Sequence, residues 1–315
     1  MINFRFHLAS LIAIFLALAL GVVIGAGVID RGVVDALDTR LDKVQARTDR
    51  IQSENDALRD AGSQRDRAID GLSKQALGGK LQNEDVGVVA VRGVDGDQVD
   101  NTTAALRTAG ANVTGVLWLE APWKLENAQE VDALAQVIGS SARRPATLRT
   151  QAWQHLATRL AQSPVAVAAS SDDLLAQLDD AGFVSFDAPS AGGDVGKFPG
   201  ANASIVLVVG SEGRVPSDEV VVPASSAMVA EKVELVASDI YVADAPGAGS
   251  RGTAFDDLRD SALSTTVSTV DDLEMPWGPG TVVLALDGVL RNPPVVGHYG
   301  LGPETVLMPD PVTAS

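Results

Sequence analysis

The sequence contains no cysteine among its 315 residues. That excludes a disulfide framework, thiolate metal ligands and a cysteine nucleophile. Histidine is nearly as scarce: His7, His155 and His298 stand far apart, with no i+3 or i+4 pairing. The four methionines, the initiator among them, are scattered. Copper(I) is held by clustered thiolate, thioether or imidazole ligands, and no such cluster is present. His298, in VVGHYGLG, is the one weak metal candidate. Catalytic spacings are missing too: no G-x-S-x-G occurs, and the strand–loop–helix at 86–109 has no G-x-G-x-x-G and no G-K-[ST] in its loop. The loop RGVDGD (92–97) carries two acids where a phosphate would sit, so it reads as an ordinary turn with Asp near a helix N-terminus. The expectation is a protein that is not an enzyme and has no cofactor.

Aromatic residues make up only 4 % of the chain against 46 % hydrophobic residues, so the core is aliphatic. Net positive charge is also lacking: the formal charge is −17. Residues 1–29 carry one net positive charge and residues 30–75 one net negative, which leaves the acidity to the remainder, from about Gln75 onward. An acidic domain is a poor ligand for phosphates, so no nucleic acid partner is expected. Adjacent acids recur at Asp172–Asp173, Asp179–Asp180, Asp256–Asp257 and Asp271–Asp272. None has the spacing of a calcium loop, and they read as caps and solvated faces.

What the chain does have is one uncharged stretch, Leu8 to Ile29, twenty-two residues without Asp, Glu, Lys or Arg. At about 1.5 Å per residue it spans a hydrocarbon core of about 30 Å. It is longer than a signal-peptide core and runs into charged, helix-forming sequence, so an uncleaved anchor is expected. Charge alone leaves its orientation open, with Arg5 on one side and Arg31, Arg40, Lys43 and Arg47 on the other. We expect a short tail inside and the globular domain extracytoplasmic. Ala13, Ala17, Gly21 and Gly25 recur every four residues, and Gly21 with Gly25 forms a GxxxG ridge that lets two helices approach in lipid.

Residues 30–77 carry heptads. The a positions are Val34, Leu41, Thr48, Asn55, Gly62, Ile69 and Ala76, and the d positions Leu37, Val44, Ile51, Leu58, Arg65 and Leu72. Nine of these thirteen are apolar, which marks a coiled-coil stalk rather than a single surface helix. Asn55 at an a position specifies register, while Gly62 and Arg65 loosen one heptad. Charges of both signs fill the other positions. A homodimer through Val34, Leu37, Leu41, Val44, Ile51, Asn55 and Leu58 is expected. Its paired helices would be about 70 Å long by helical rise.

Gly78-Gly79 ends that helix. Apolar runs at 86–91 (VGVVAV), 113–119, 183–186, 205–209 (IVLVV), 240–243, 265–270 and 281–286 then read as strands. Helical segments read at 97–109, 125–138, 147–161, 172–181 and 255–263, with 219–236 partly helical. Continuously apolar strands alternating with helices predict an α/β domain with a mainly parallel sheet over residues 80–300. A membrane barrel would need longer, alternating strands. The full division expected is a tail (1–7), a transmembrane helix (8–29), a coiled-coil stalk (30–77), the α/β domain and a C-terminal tail (301–315).

Three stretches together resemble one family: the anchor with its preceding His7, the heptads, and the C-terminal STVDDL (268–273), GTVVLAL (280–286) and GHYG (297–300). The chain resembles, over nearly its full length, the actinobacterial MctB-type copper transporter family, which includes corynebacterial SteB proteins. The resemblance implies an envelope location. It further implies either copper homeostasis or cell separation, the latter with a SteA-like partner and control of a peptidoglycan hydrolase. It draws attention to His298. One spanning helix makes no pore alone, so the residues themselves favour a dimeric scaffold or regulator.

Overall fold

A computed structural model describes residues 4–27, 31–162, 173–189, 197–200, 202–243, 245, 249–250 and 252–309. The chain divides into two units, Met1–Arg65 and Asp66–Ser315. The first holds helix α1 (Phe4–Gly27) and most of helix α2 (Arg31–Leu77). Within α1, Phe6–Gly25 is long and apolar enough to cross a membrane, and none of it is buried in the protein. An all-round apolar helix has no polar face to turn to water, which is consistent with membrane anchoring.

The second unit is an α/β fold built on seven strands. In chain order these are β1 (Asp85–Val91), β2 (Asn112–Leu119), β3 (Val184–Asp187), β4 (Ser204–Gly210), β5 (Leu235–Ile240), β6 (Ser268–Val270) and β7 (His298–Tyr299). Their spatial order is β3-β2-β1-β4-β5-β6-β7, and only the β2–β3 pair is antiparallel. Six of the seven residues of β1 and all of β4 are buried, as expected of central strands covered on both faces. The chain therefore starts at the sheet centre, runs outward to β3, and returns to β4 beside β1. The direction of growth reverses between β1 and β4.

That reversal sets the layers. Right-handed crossovers in opposite directions put α3 (Gly96–Thr108) and α7 (Ser217–Ala230) on opposite faces. Helix α3 packs with α9 (Gly278–Val289), which also lies on β5 and β6. On the other face α7 covers β4 and β5 and holds α5 (Pro145–Ala161), with α4 (Ala128–Val137) and α6 (Leu174–Asp180) against α5. Three of the scarce aromatics meet in this unit: Trp123 meets Trp153 edge-on at 5.3 Å and Phe183 at 6.4 Å between ring centroids. Asp95 caps α3 by accepting the Asp97 amide at 3.0 Å, so the RGVDGD loop is the plain strand-to-helix turn its acids suggested.

Two strand readings are corrected. Residues 281–286 lie inside helix α9, not in a strand. Thr281, Val282, Val283, Ala285 and Leu286 are all buried, and a run buried on every side shows no period to separate helix from strand. Residues 241–243 follow β5 rather than form a strand, because the sheet pairing is made one segment earlier, at 235–240. Residues 219–236, read as partly helical, hold helix α7 as far as Ala230, then a turn and the first residues of β5.

Candidate partner interface and C-terminal cluster

Two groups of residues stand out, one in each unit. In the first, the heptad positions lie along α2 without cover. Leu37, Leu41, Val44, Ile51 and Leu58 are all exposed, Leu41 at 63 % and Leu58 at 71 %. Asn55 shares their helix and is exposed. Val34 lies in the helix, but its side chain is outside the described residues. Fully burying a Leu or Ile side chain is worth about 1.5–3 kcal/mol, so five such residues in water are a large unfulfilled term. The flanking ion pairs, Arg50–Glu54 at 3.9 Å and Arg59–Asp56 at 3.3 Å, are exposed and add little. On α1, the space beside Gly21 and Gly25 is open to 4 Å, which leaves the small ridge free for close approach.

In the second unit, the C-terminal motifs converge. The Arg259 guanidinium donates through Nη2 to Asp271 Oδ1 at 2.9 Å and to Thr269 Oγ1 at 2.9 Å. Thr269 faces His298 Nδ1 at 2.9 Å. Thr269 Oγ1 accepts from both Arg259 Nε, at 3.3 Å, and Nη2, which fills its two lone pairs and leaves its one proton for Nδ1. The His298 ring proton then sits on Nε2, and the ring's other hydrogen bond goes to the Ser264 backbone. Burial, then the adjacent Arg259 charge, hold the His298 pKa below its ordinary value, against the opposing effect of the Ser264 bond. Asp272 accepts the Leu301 amide. Gly252, Gly300 and Gly302 close over Asp271; a methyl group on Gly302 would run into Asp271 Oδ2. Gly300 also has φ +128°, which disfavours any side chain. Residues 301–306 turn back on β7, with Val306 N–H donating to the His298 carbonyl at 3.0 Å.

This changes the reading of the paired acids. Asp179, Asp180, Asp256 and Asp257 are exposed, as solvated faces should be. Asp173, Asp271 and Asp272 are buried, because each has a tertiary partner. For Asp173 it is Arg159, which spans both carboxylate oxygens and also reaches the Phe198 carbonyl. Asp172 lies outside the described residues. The only signal for this in the sequence is the polar run Ser-Thr-Val-Asp-Asp in a segment of strand character.

For metals, the donor set is the test. Among the described residues no three His, Asp or Glu are grouped to hold an ion. His7 and His155 are exposed and distant in sequence, and both hydrogen-bonding positions of the His298 ring are occupied.

Comparison with known proteins adds the family. The family model described as "Copper transport outer membrane protein, MctB" matches residues 1–309. The copper transporter MctB of Mycobacterium tuberculosis (strain ATCC 25618 / H37Rv) is 28 % identical over 316 residues, 96 % of this chain and 97 % of the relative. The Mycobacterium bovis protein of the same name has the same identity and coverage. That of Mycobacterium leprae is 29 % identical over 323 residues, again 96 % and 97 % of the two chains.

Proposed function

We propose, for a chain that belongs to the MctB family, a non-enzymatic role as a membrane-anchored dimer that acts as a scaffold or regulator in the cell envelope. The single observation that carries this is the uncovered heptad stripe of α2. An apolar seam with an a-position Asn is built to meet a second copy of itself. In this reading α1 sits in the membrane and the α/β domain is extracytoplasmic. The work done there is regulation of cell separation, through a SteA-like partner and a peptidoglycan hydrolase. The absence of native cysteine makes the test clean. Cysteines placed at Leu37 or Leu58 in otherwise wild-type cells should give a disulfide-linked dimer, and the linked material should carry an envelope partner. A chain that stays monomeric under oxidation at both positions sinks the reading.

Copper export or homeostasis is the second reading, favoured by the names of the family and its relatives. Here copper is cargo, and the described residues offer no clustered soft ligands for it. Titrating the full chain with copper(I) should therefore give the same weak isotherm for wild type and His298→Ala. Saturable binding lost in His298→Ala would move the argument to copper.

A further inference from the structure

The carboxyl ends of the strands hold a crevice that the scaffold reading does not use. Open α/β sheets bind ligands outside the carboxyl ends of their strands. This protein has a cavity of about 360 Å³ there, over the ends of β4 and β5, one strand pair beyond the β1–β4 reversal. Its walls come from separate connections. Lys124 follows β2; Arg214 and Ser217 follow β4; Asp239 ends β5, Tyr241 follows it, and Asp257 comes from the segment before β6. Since the strands run β2-β1-β4-β5-β6 across the sheet, the lining is polarised. Lys124 and Arg214 stand toward β2, and Asp239 and Asp257 toward β6.

The chemistry at each end is specific. Helix α7 begins at the cationic end, and Pro216 at its N-cap supplies no side-chain acceptor to the first-turn N–H groups. The Glu219 amide already donates to the Pro216 carbonyl at 3.1 Å; the other first-turn amides and Arg214 suit a carboxylate. Asp218 also lines the cavity there, in the first turn of α7. At the other end Asp239 is buried at 4 % exposure and Asp257 is exposed, a pair suited to an ammonium. Val221 of α7 contributes apolar wall between them. A ligand with an anion at one end, a cation at the other and an aliphatic middle matches this order.

We infer that the crevice binds a short peptide with free termini, its carboxylate toward Arg214 and its ammonium toward Asp239 and Asp257. The volume suits two or three small residues. The test is calorimetric titration of the full chain in detergent micelles with dialanine and trialanine, their N-acetyl and C-amide derivatives, and di-N-acetylchitobiose. Free-ended peptides should bind saturably, and capping either end should weaken binding at least tenfold. The exposed substitutions Arg214→Ala and Asp257→Asn should each weaken binding at least tenfold while the melting temperature holds. Absence of binding by both free peptides overturns the inference. So does binding that both variants retain, or binding of the disaccharide alone. None of these outcomes bears on the α2 seam, so the dimer reading stands or falls separately.

Discussion

Asp271→Ala is expected to destabilise the α/β unit by about 3–5 kcal/mol, the cost of removing one partner from a buried ion pair. The Arg259 side chain is 8 % exposed and that of Asp271 fully buried. Removing the carboxylate leaves a guanidinium that keeps Thr269 and the Gly252 carbonyl but no counter-charge. The glycines that close over Asp271 would then face a void. Unfolding in urea, followed by tryptophan fluorescence, reads the change. The double variant Arg259→Met with Asp271→Asn keeps the volumes and removes both charges, so it should lose less than Asp271→Ala alone. A cost below about 1 kcal/mol for Asp271→Ala would show that the pair does not hold the C-terminal motifs together.

The same cluster sets a pH dependence. His298 has its pKa lowered in the folded protein, so between that value and the unfolded value near 6.5 the unfolded chain binds more protons. Stability from this residue is complete above the unfolded pKa and is lost as pH falls through it toward the folded value. A His298→Gln chain should show a flatter fall in melting temperature between pH 7.5 and 5.

The second large effect is on self-association. Leu41→Asp with Leu58→Asp should raise the dimer dissociation constant by at least about a thousandfold. Loss of a packed Leu costs about 2–5 kcal/mol per site, and about 1.4 kcal/mol is tenfold in affinity. Two sites in each of two chains, each then burying a charge, make this a lower figure. Sedimentation velocity of the full chain in detergent measures it. Leu41 and Leu58 touch no core of their own chain, so the melting of the α/β unit should not move. A double variant that associates like wild type would place the contact elsewhere, with the α1 ridge next to be tested.

The heptad pattern was legible in the sequence because it is local. Leu37, Leu41, Val44, Ile51 and Leu58 declare themselves by spacing alone, and the structure leaves them in the open. The strands IVLVV and VGVVAV were legible for a related reason. A central strand covered on both faces must be apolar at every position, and few other short elements are.

The buried polar cluster was not legible in the same way. Asp271 and Asp256 stand in similar acidic pairs, yet one is buried and the other exposed. The difference is Arg259, twelve residues from Asp271, which only the return of the chain through α8 (Asp256–Arg259) and β6 brings alongside. The same holds for 281–286, whose composition suits a strand. Its place on the sheet beside α3, with Pro279 in the first turn, makes it a helix.

The amino-acid order alone determined the long apolar N-terminal helix, the heptad pattern of α2 and the α/β class, because each rests on periodicity or length within one segment. The tertiary structure alone decided which acids are buried, what His298 touches and where the crevice opens. Those depend on which distant segments the sheet order sets side by side, and no local spacing encodes that.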